Sequence, residues 1–493
     1  MKAVIMAGGK GTRLRPLTCN IPKPMVPILN IPVMEYIIRL LKKMDIVEIA
    51  VTAFYLPETI KDYFGDGEKW GVSLKYFLEE SPLGTAGSVH NADDFLDETF
   101  LVISGDAMSD FNVQKAVDFH MENGADATII LSQENIPLDY GVIMVDEKKK
   151  IIRFLEKPAW SQVFSDTINT GIYILEPEIF NIFPKNKKYD FSKDLFPLML
   201  KNNRDLYGLP LNGYWNDIGS LEEYRQTNFD LIEGLINLDI NKDYSKIDEN
   251  IYIENNVNID DSAILKGPLY ISEGSEIAQG VYLESSVIGR NARILSYSSV
   301  KKSVLWNNIY LDSRTEIRGA TIADNVIIKD GVEIYEKSII GRKVKVGRKS
   351  VIKPGVKIWP EKLIEDESDV NDSLIWSSGW KRKLFTNLGI VGISNVDITP
   401  EYLARLASAY AAVLKPGDEL IISSDTYEIS KSLSRAFISG LQSSGVNVLD
   451  IGNSITPVVR YSIMKFSAAG GVFIHVSQKN NTRIVRRKKA RFT

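Results

Sequence analysis

The chain has 493 residues, 44% hydrophobic and 25% charged, with a formal net charge of −4. That length suits about three domains. The composition is that of a globular chain, and the charge gives no overall case for nucleic-acid binding. Cys19 is the single cysteine, which excludes an internal disulfide and a cysteine-built zinc site. Three histidines, His90, His120 and His475, disfavour any mechanism that needs a histidine cluster. The opening apolar run is stopped by Gly8 and Gly9 and is too short for a signal-peptide core. No run approaches the roughly 18 apolar residues of a membrane span. A soluble, cytoplasmic protein is expected.

Residues 1–236 alternate short apolar runs with helical spacing. Residues 3–7 read as a first strand. Val33, Ile37, Leu40, Leu41 and Met44 recur at the period of a helix, and residues 48–53 and 100–104 are again strand-like. The alternation predicts an α/β domain with a mostly parallel, Rossmann-like sheet, whose ligands gather beyond the carboxyl ends of its strands.

From 245 to 376 a six-residue period replaces helical spacing. Val326, Val332, Val344 and Val356 fall in phase, Ile328, Ile334, Val346, Ile352 and Ile358 follow them, and Gly331, Gly341, Gly347 and Gly355 lie between. Such a period marks a parallel β-helix, each coil turning its Ile or Val inward. A run of antiparallel hairpins is the alternative.

Helical spacing returns with Tyr402, Leu403, Leu406 and Tyr410. Strand-like 420–422, helical 430–441 and strand-like 446–451 and 470–476 complete a small α/β unit over 384–480. Polar 237–250 and acidic 361–372 are expected as linkers. Residues 481–493, rich in Lys and Arg without periodicity, are expected as a disordered basic tail. A basic tail could bind nucleic acid or lipid headgroups; unselected sequence at the end of a truncated or frame-shifted fusion is the reading preferred.

The densest chemical signal, Gly8-Gly9-Lys10-Gly11-Thr12-Arg13, directly follows the first strand, and Pro22-Lys23-Pro24 comes soon after. The glycines let backbone approach an anion closely, and N–H groups there can cradle phosphates. Arg13 and Lys23 add cations for phosphate oxygens. The spacing is not that of a Walker A loop, and Leu14 stands where the dinucleotide fingerprint needs glycine.

This string closely resembles the signature of the sugar-1-phosphate nucleotidyltransferases. Five further motifs follow in that family's order: Leu83-Gly84-Thr85-Ala86-Gly87, Ser104-Gly105-Asp106, Glu156-Lys157-Pro158, Asn169-Thr170-Gly171 and Trp215-Asn216-Asp217-Ile218-Gly219. The resemblance implies that a sugar 1-phosphate reacts with a nucleoside triphosphate and releases pyrophosphate. A phosphate monoester is already anionic near neutral pH. Its attack therefore needs charge neutralisation and alignment rather than a general base.

By this resemblance Ala7, Gly8, Gly9, Gly11, Thr12 and Arg13 bind nucleotide, with Glu79, Gly84 and Thr85. Asp106 and Asp217 hold Mg²⁺. Arg13, Lys23 and Lys157 supply catalytic positive charge. Glu156, Lys157, Asn169 and Gly171 bind the sugar phosphate.

The carboxylate of Glu79, five residues before Gly84, can accept from both N1–H and the N2 amino group of guanine. That favours GTP, and the Leu-Gly-Thr-Ala-Gly wording also resembles guanylyltransferases; mannose 1-phosphate is then the sugar implied. Glucose-1-phosphate uridylyl- or thymidylyltransferase and a non-catalytic regulatory subunit are the alternatives.

Left-handed β-helices fused to such domains can be acyltransferases, usually through a histidine; residues 245–376 contain none. The β-helix is expected as a platform for homo-oligomerisation or regulation. Residues 384–480 resemble the first domain of the phosphohexomutases. Ser477 stands at that family's phosphoserine with altered neighbours, Tyr427 replaces its arginine, and three further mutase domains are lacking. Mutase activity is therefore not expected.

Overall fold

The structure is a computed structural model that describes residues 1–238, 244–248, 250–377, 379–380, 389–415, 417–476 and 481–488. The chain divides into two compact units, Met1–Glu361 and Lys362–Thr493. Among the described residues no helix is long and apolar enough to cross a membrane.

The first unit opens with the α/β domain. Its strands in chain order are β1 (Lys2–Met6), β2 (Glu48–Ala53), β3 (Ser73–Leu78), β4 (Phe100–Ser104), β5 (Ala107–Ser109), β6 (Ala127–Gln133), β7 (Gly141–Val145), β8 (Ile151–Glu156), β9 (Thr167–Leu175), β10 (Leu206–Pro210) and β11 (Trp215–Asp217). The helices are α1 (Val33–Lys43), α2 (Pro57–Phe64), α3 (Gly84–His90), α4 (Gln114–Asn123), α5 (Phe196–Lys201) and α6 (Leu221–Ile232).

Nine strands form one mixed sheet, with β8-β7-β9-β4-β1-β2-β3 in order, β6 branching off β9 and β10 pairing with β6. The half that carries the phosphate loop, β4-β1-β2-β3, is parallel. Strand β9 enters antiparallel to β4 and β6. Both faces are covered. Ala3 and Ile5 feed one core with Ile37 and Leu41 of α1, and Val4 feeds the other with Val89 of α3 and Met199 of α5. Burial on two faces explains why these strands read as continuous apolar runs rather than alternating ones.

The six-residue period closes into a parallel β-helix. Ile328 lies beside Val346, Ile334 beside Ile352 and Ile340 beside Ile358, all in parallel register. Those Ile and Val side chains are at most 1% exposed. The hairpin alternative is excluded by this direction of pairing. Every sixth residue turns a corner with positive φ: Asn325, Gly331, Lys337, Lys343, Lys349 and Gly355. A left-handed non-glycine residue costs about 1–2 kcal/mol. Ladder hydrogen bonds offset it, since Lys337 N–H donates to Gly319 O and Lys349 N–H to Asp330 O.

Both expected linkers contain strand. Tyr244–Asp248 pairs antiparallel with Ile251–Glu254 and opens the β-helix. Within 361–372, Leu363–Ile364 and Asp369–Val370 are strands, with Ile364 and Val370 fully buried. The acidic residues there are exposed between apolar positions that keep the six-residue phase.

The coils pack on the α/β domain through α6. The Tyr224 hydroxyl donates to Pro27 O at 2.8 Å and accepts from Trp306 Nε1 at 2.7 Å. Leu29 N–H donates to Asn228 Oδ1 at 3.0 Å, and Asn30 reaches Ser272. Pro27–Ile28 and Ile31–Pro32 form a small hairpin directly after Lys23. Helix α6 and the coils thus share one core with the segment behind the phosphate loop.

The second unit holds a five-stranded sheet of β12 (Ile390–Ile393), β13 (Glu419–Ser424), β14 (Asn447–Asn453), β15 (Gly470–Val476) and β16 (Asn481–Lys488), in the order β12-β16-β15-β13-β14. Helices α7 (Pro400–Ala411) and α8 (Glu428–Ser443) cover one face, and α9 (Thr456–Lys465) the other. Strand β16 corrects the expected disordered tail over 481–488, and residues 489–493 lie outside the described residues. It lies antiparallel on β15 and also on β12, so its peptide groups join a ladder on both sides. Period-based reading misses a strand held by backbone pairing when its side chains do not alternate.

Tyr224→Phe should strand the Trp306 N–H and Pro27 carbonyl in a buried setting. Urea unfolding of the variant should show a loss of about 1–3 kcal/mol.

Candidate active site

The sequence motifs converge where β1 and β4 end. Ala7 is fully buried and spends its N–H on Thr52 O, and Leu14 N–H closes back on Gly11 O. Among the described residues, none of the amides of residues 8–13 between them donates a hydrogen bond. Gly9, Thr12 and Arg13 are exposed. Gly11 has φ +58°, and a Cβ there would lie 3.1 Å from Lys23 Cβ. The loop is therefore a set of free N–H donors closely backed by Lys23, as an anion site needs.

Asp106 and Asp217 come together through a two-stranded ribbon. Strand β11 pairs antiparallel with β5, setting Asp217 opposite Ala107, and Ile218 N–H donates to Asp106 O at 3.3 Å. Gly105 is required by the close approach of β1, because a Cβ there would lie 2.8 Å from Met6 O. Lys23 Nζ sits between the two carboxylates, 2.7 Å from Asp106 Oδ2 and 2.6 Å from Asp217 Oδ1. Arg13 approaches Asp217 at 3.9 Å, and the Ser104 hydroxyl donates to Asp106 at 2.5 Å.

Burial alone would push the Lys23 ammonium toward the neutral form; the two carboxylates outweigh it and hold its pKa above the ordinary value. Burial also pushes Asp106 up, but Lys23 and Ser104 bring it below the usual carboxylate range. Asp217 is raised by burial and by the negative charge of Asp106. A lone pair of carboxylates, with no third ligating side chain among the described residues, does not form a closed cage. It does fit a hard divalent cation that keeps water and phosphate oxygens as its other ligands. The seat of Lys23 shows that a cation can lie between them.

The Leu83–Gly87 motif is docked against residues 187–191. A Cβ on Gly84, at φ +73°, would lie 2.5 Å from Tyr189 O, and one on Gly87 2.6 Å from Lys187 O. Leu83 O accepts from Tyr189 N–H, and Gly87 N–H donates to Tyr189 O. The Thr85 hydroxyl donates to Asp190 at 3.0 Å and accepts from Phe191 N–H at 2.9 Å. Glu79 faces the phosphate loop, its Oε1 3.4 Å from where a Gly8 Cβ would stand. It also braces the motif, accepting Leu83 N–H at 2.9 Å and the Ser88 hydroxyl at 2.7 Å.

The sugar-side motifs form a second group. Asn169 donates to Tyr173 Oη and Ser192 Oγ and accepts from Gly171 N–H. Gly171, at φ +78°, lies in the bulge of β9. Glu156 ends β8, and Lys157 beside it has φ +48° and is exposed. Burial first, then Asp190, raises the Glu156 pKa, while Lys157, Lys193 and Ser192 oppose the shift.

Asp190 was not singled out in the sequence, yet it receives Thr85 and caps Ser192 and Lys193 N–H groups. An aspartate opening a helical turn is the signal that could have found it. The histidines have partners outside the motifs. His90 stacks on Phe180 and meets Phe183 edge-on, His120 bonds Thr128 and Glu176, and His475 stacks on Phe473. Ser477 lies outside the described residues, although Asp425 accepts from the neighbouring Val476 N–H at 2.7 Å.

Comparison with known proteins agrees with this layout. The nucleotidyl transferase family matches residues 2–234. The chain is 37% identical over 326 residues to UTP–glucose-1-phosphate uridylyltransferase of Synechocystis sp., covering 60% of this chain and 84% of that protein. It is 31% identical over 373 residues to probable mannose-1-phosphate guanylyltransferase 1 of Oryza sativa, covering 72% and 99%. The chain belongs to the sugar-1-phosphate nucleotidyltransferases. As such an enzyme it is also 31% identical over 294 residues to mannose-1-phosphate guanylyltransferase of Mycobacterium tuberculosis, covering 59% and 80%. The nucleotidyltransferase domain is followed by matches to the EIF2B subunit epsilon LbH domain at 248–352 and to phosphoglucomutase/phosphomannomutase alpha/beta/alpha domain I at 382–483.

Gly84→Ala should lower stability by at least about 2 kcal/mol in thermal or urea unfolding, because it combines a left-handed φ with a backbone clash. Glu156 has a folded pKa above its unfolded value, so its ionisation opposes folding. Stability should fall as pH rises from about 4.5, the unfolded value, through the raised folded one, and the penalty should persist above it. Glu156→Gln should remove that slope from urea titrations run across this window.

Proposed function

We propose that this nucleotidyltransferase forms a GDP-sugar and pyrophosphate from GTP and a sugar 1-phosphate, with mannose 1-phosphate as the sugar and Mg²⁺ as the metal. The observation that carries the reaction type is the meeting of Lys23, Asp106 and Asp217 beside the free amides of residues 8–13. The guanylyl reading rests on Glu79 facing that loop and on guanylyltransferase relatives that match over almost their whole length.

A sugar-phosphate oxygen attacks the α-phosphorus of GTP. A new O–P bond forms as the bond to the bridging oxygen breaks, and pyrophosphate leaves. The amides of 8–13 and exposed Arg13 bind the leaving pyrophosphate. Lys23 neutralises charge that spreads over the phosphates, and Lys157 pairs with the sugar phosphate. Glu156 and Asn169 orient sugar hydroxyls, and Glu79 accepts from guanine while Gly84 and Thr85 shape its pocket. Mg²⁺ held by Asp106 and Asp217 would screen the phosphate oxygens. The nucleophile arrives charged, so the site works by fixed charge and alignment.

The Synechocystis relative supports a second reading in which UTP and glucose 1-phosphate are the substrates. A panel of nucleotides and sugar 1-phosphates, read by pyrophosphate release, should be fastest with GTP and mannose 1-phosphate. Fastest release with UTP would move the proposal to the uridylyl reading, and no release with any pair would overturn both. Asp106→Ala and Asp217→Ala should each lower kcat at least about a hundredfold, as removal of a principal electrostatic group does.

A further inference from the structure

We propose that Lys23 competes with the divalent cation for Asp106 and Asp217, so that metal enters the site together with the nucleotide whose phosphates take over the lysine. This rests on the nucleotidyltransferase reading of the site and adds an order to it.

Three observations carry the inference. Lys23 Nζ bonds both carboxylates at once, at 2.7 and 2.6 Å, so it occupies the ground a shared metal needs. Its side chain is only 8% exposed, and it opens the turn Lys23–Met25 between Pro22 and the Pro27–Ile28 strand. An ammonium held there cannot simply lose its partners to water, and a buried charge left unpaired is costly. Lastly, the free amides of residues 8–13 and Arg13 make the same place attractive to phosphate.

The charges then set the order. Two carboxylates and one ammonium leave one net negative charge. A divalent cation added to the carboxylates, with Lys23 still present, leaves one net positive charge. That state needs an anion beside it, and a triphosphate supplies one. Metal without nucleotide therefore has to displace a well-paired lysine with nothing to receive it. Metal with nucleotide displaces it onto phosphate. By linkage the same free energy that weakens metal binding alone strengthens nucleotide binding in the presence of metal.

The test uses nucleotide-free, full-length protein and Mn²⁺ alone, with free Mn²⁺ read from its electron paramagnetic resonance signal. Lys23→Met removes the competing charge and keeps most of the side-chain volume. It should bind Mn²⁺ at least about fivefold more tightly than the parent, the lower end of ordinary site coupling. Lys23→Arg keeps the cation and should stay near the parent, and adding Asp217→Asn to Lys23→Met should abolish the gain. A Lys23→Met protein no tighter than the parent overturns the proposal. So does an unaltered protein that takes up one Mn²⁺ per chain in the micromolar range without nucleotide, a result that needs no variant. Neither measurement involves turnover, so failure here is distinct from a failure to release pyrophosphate.

Discussion

Two ionised carboxylates side by side in a partly buried site repel unless a cation lies between them, and the nucleotidyltransferase domain meets that requirement with Lys23. Asp106 comes from the end of a central strand, and Asp217 from a ribbon more than a hundred residues later. Lys23 comes from the segment after the first strand. None of the three has a stable position alone. Its own burial, and then the negative charge of Asp106, raises Asp217, while the two carboxylates outweigh the burial of Lys23. The glycines serve this convergence. Gly105 lets the Asp106 strand end close on the first strand, and Gly11 lets the phosphate loop fold over Lys23. A substrate phosphate and a metal can then exchange partners within an existing arrangement of charge, which lowers the reorganisation left for the reaction itself.

The β-helix takes part in that arrangement from behind. Its Trp306 donates to Tyr224, and Tyr224 holds the Pro27 carbonyl four residues beyond Lys23. Asn228 fixes Leu29 in the same hairpin. The coils offer no histidine for an acyl transfer of their own. What they provide is a rigid, apolar wall, since stacked coils with fully buried Ile and Val have little freedom to deform. The hairpin that directly follows Lys23 is therefore clamped between a sheet and a β-helix, which is how a short irregular segment can hold an ammonium within hydrogen-bond range of two carboxylates.

The strands and helices of both α/β regions were legible because their apolar periods are strong: the strand 48–53, the strand 100–104 and the strand 470–476 stand where the sequence puts them. The β-helix was legible from its inward Ile and Val. Its corners were not, because Lys337, Lys343 and Lys349 carry no signal for positive φ; they adopt it because the ladder fixes them on both sides. The acidic 361–372 stretch was expected as a linker for a different reason. Charge dominated the reading, while Ile364 and Val370 kept the phase. At the site, the motifs include the three residues that meet, Lys23, Asp106 and Asp217. They did not reveal that Gly84 and Thr85 dock their loop against Tyr189 and Asp190, since that contact joins segments about a hundred residues apart.

Glu79 has a structural role that bears on the guanylyl reading. Its two oxygens already accept from Leu83 N–H and Ser88, which fastens the start of the Gly84 motif to the end of a strand. A carboxylate offers about four acceptor positions, so two remain. On the guanylyl reading, the same two bonds that brace the loop fix the orientation of those remaining positions toward the space above Gly8. Guanine then meets acceptors that are already immobilised, and little rotamer entropy is lost when it binds. A glutamine could still accept Leu83 N–H and donate to the Ser88 hydroxyl, which can turn its own proton to Thr52, but it would leave one accepting end where the carboxylate leaves two. On that same reading, the value of a carboxylate lies in the acceptor positions that the loop's own hydrogen bonds leave over.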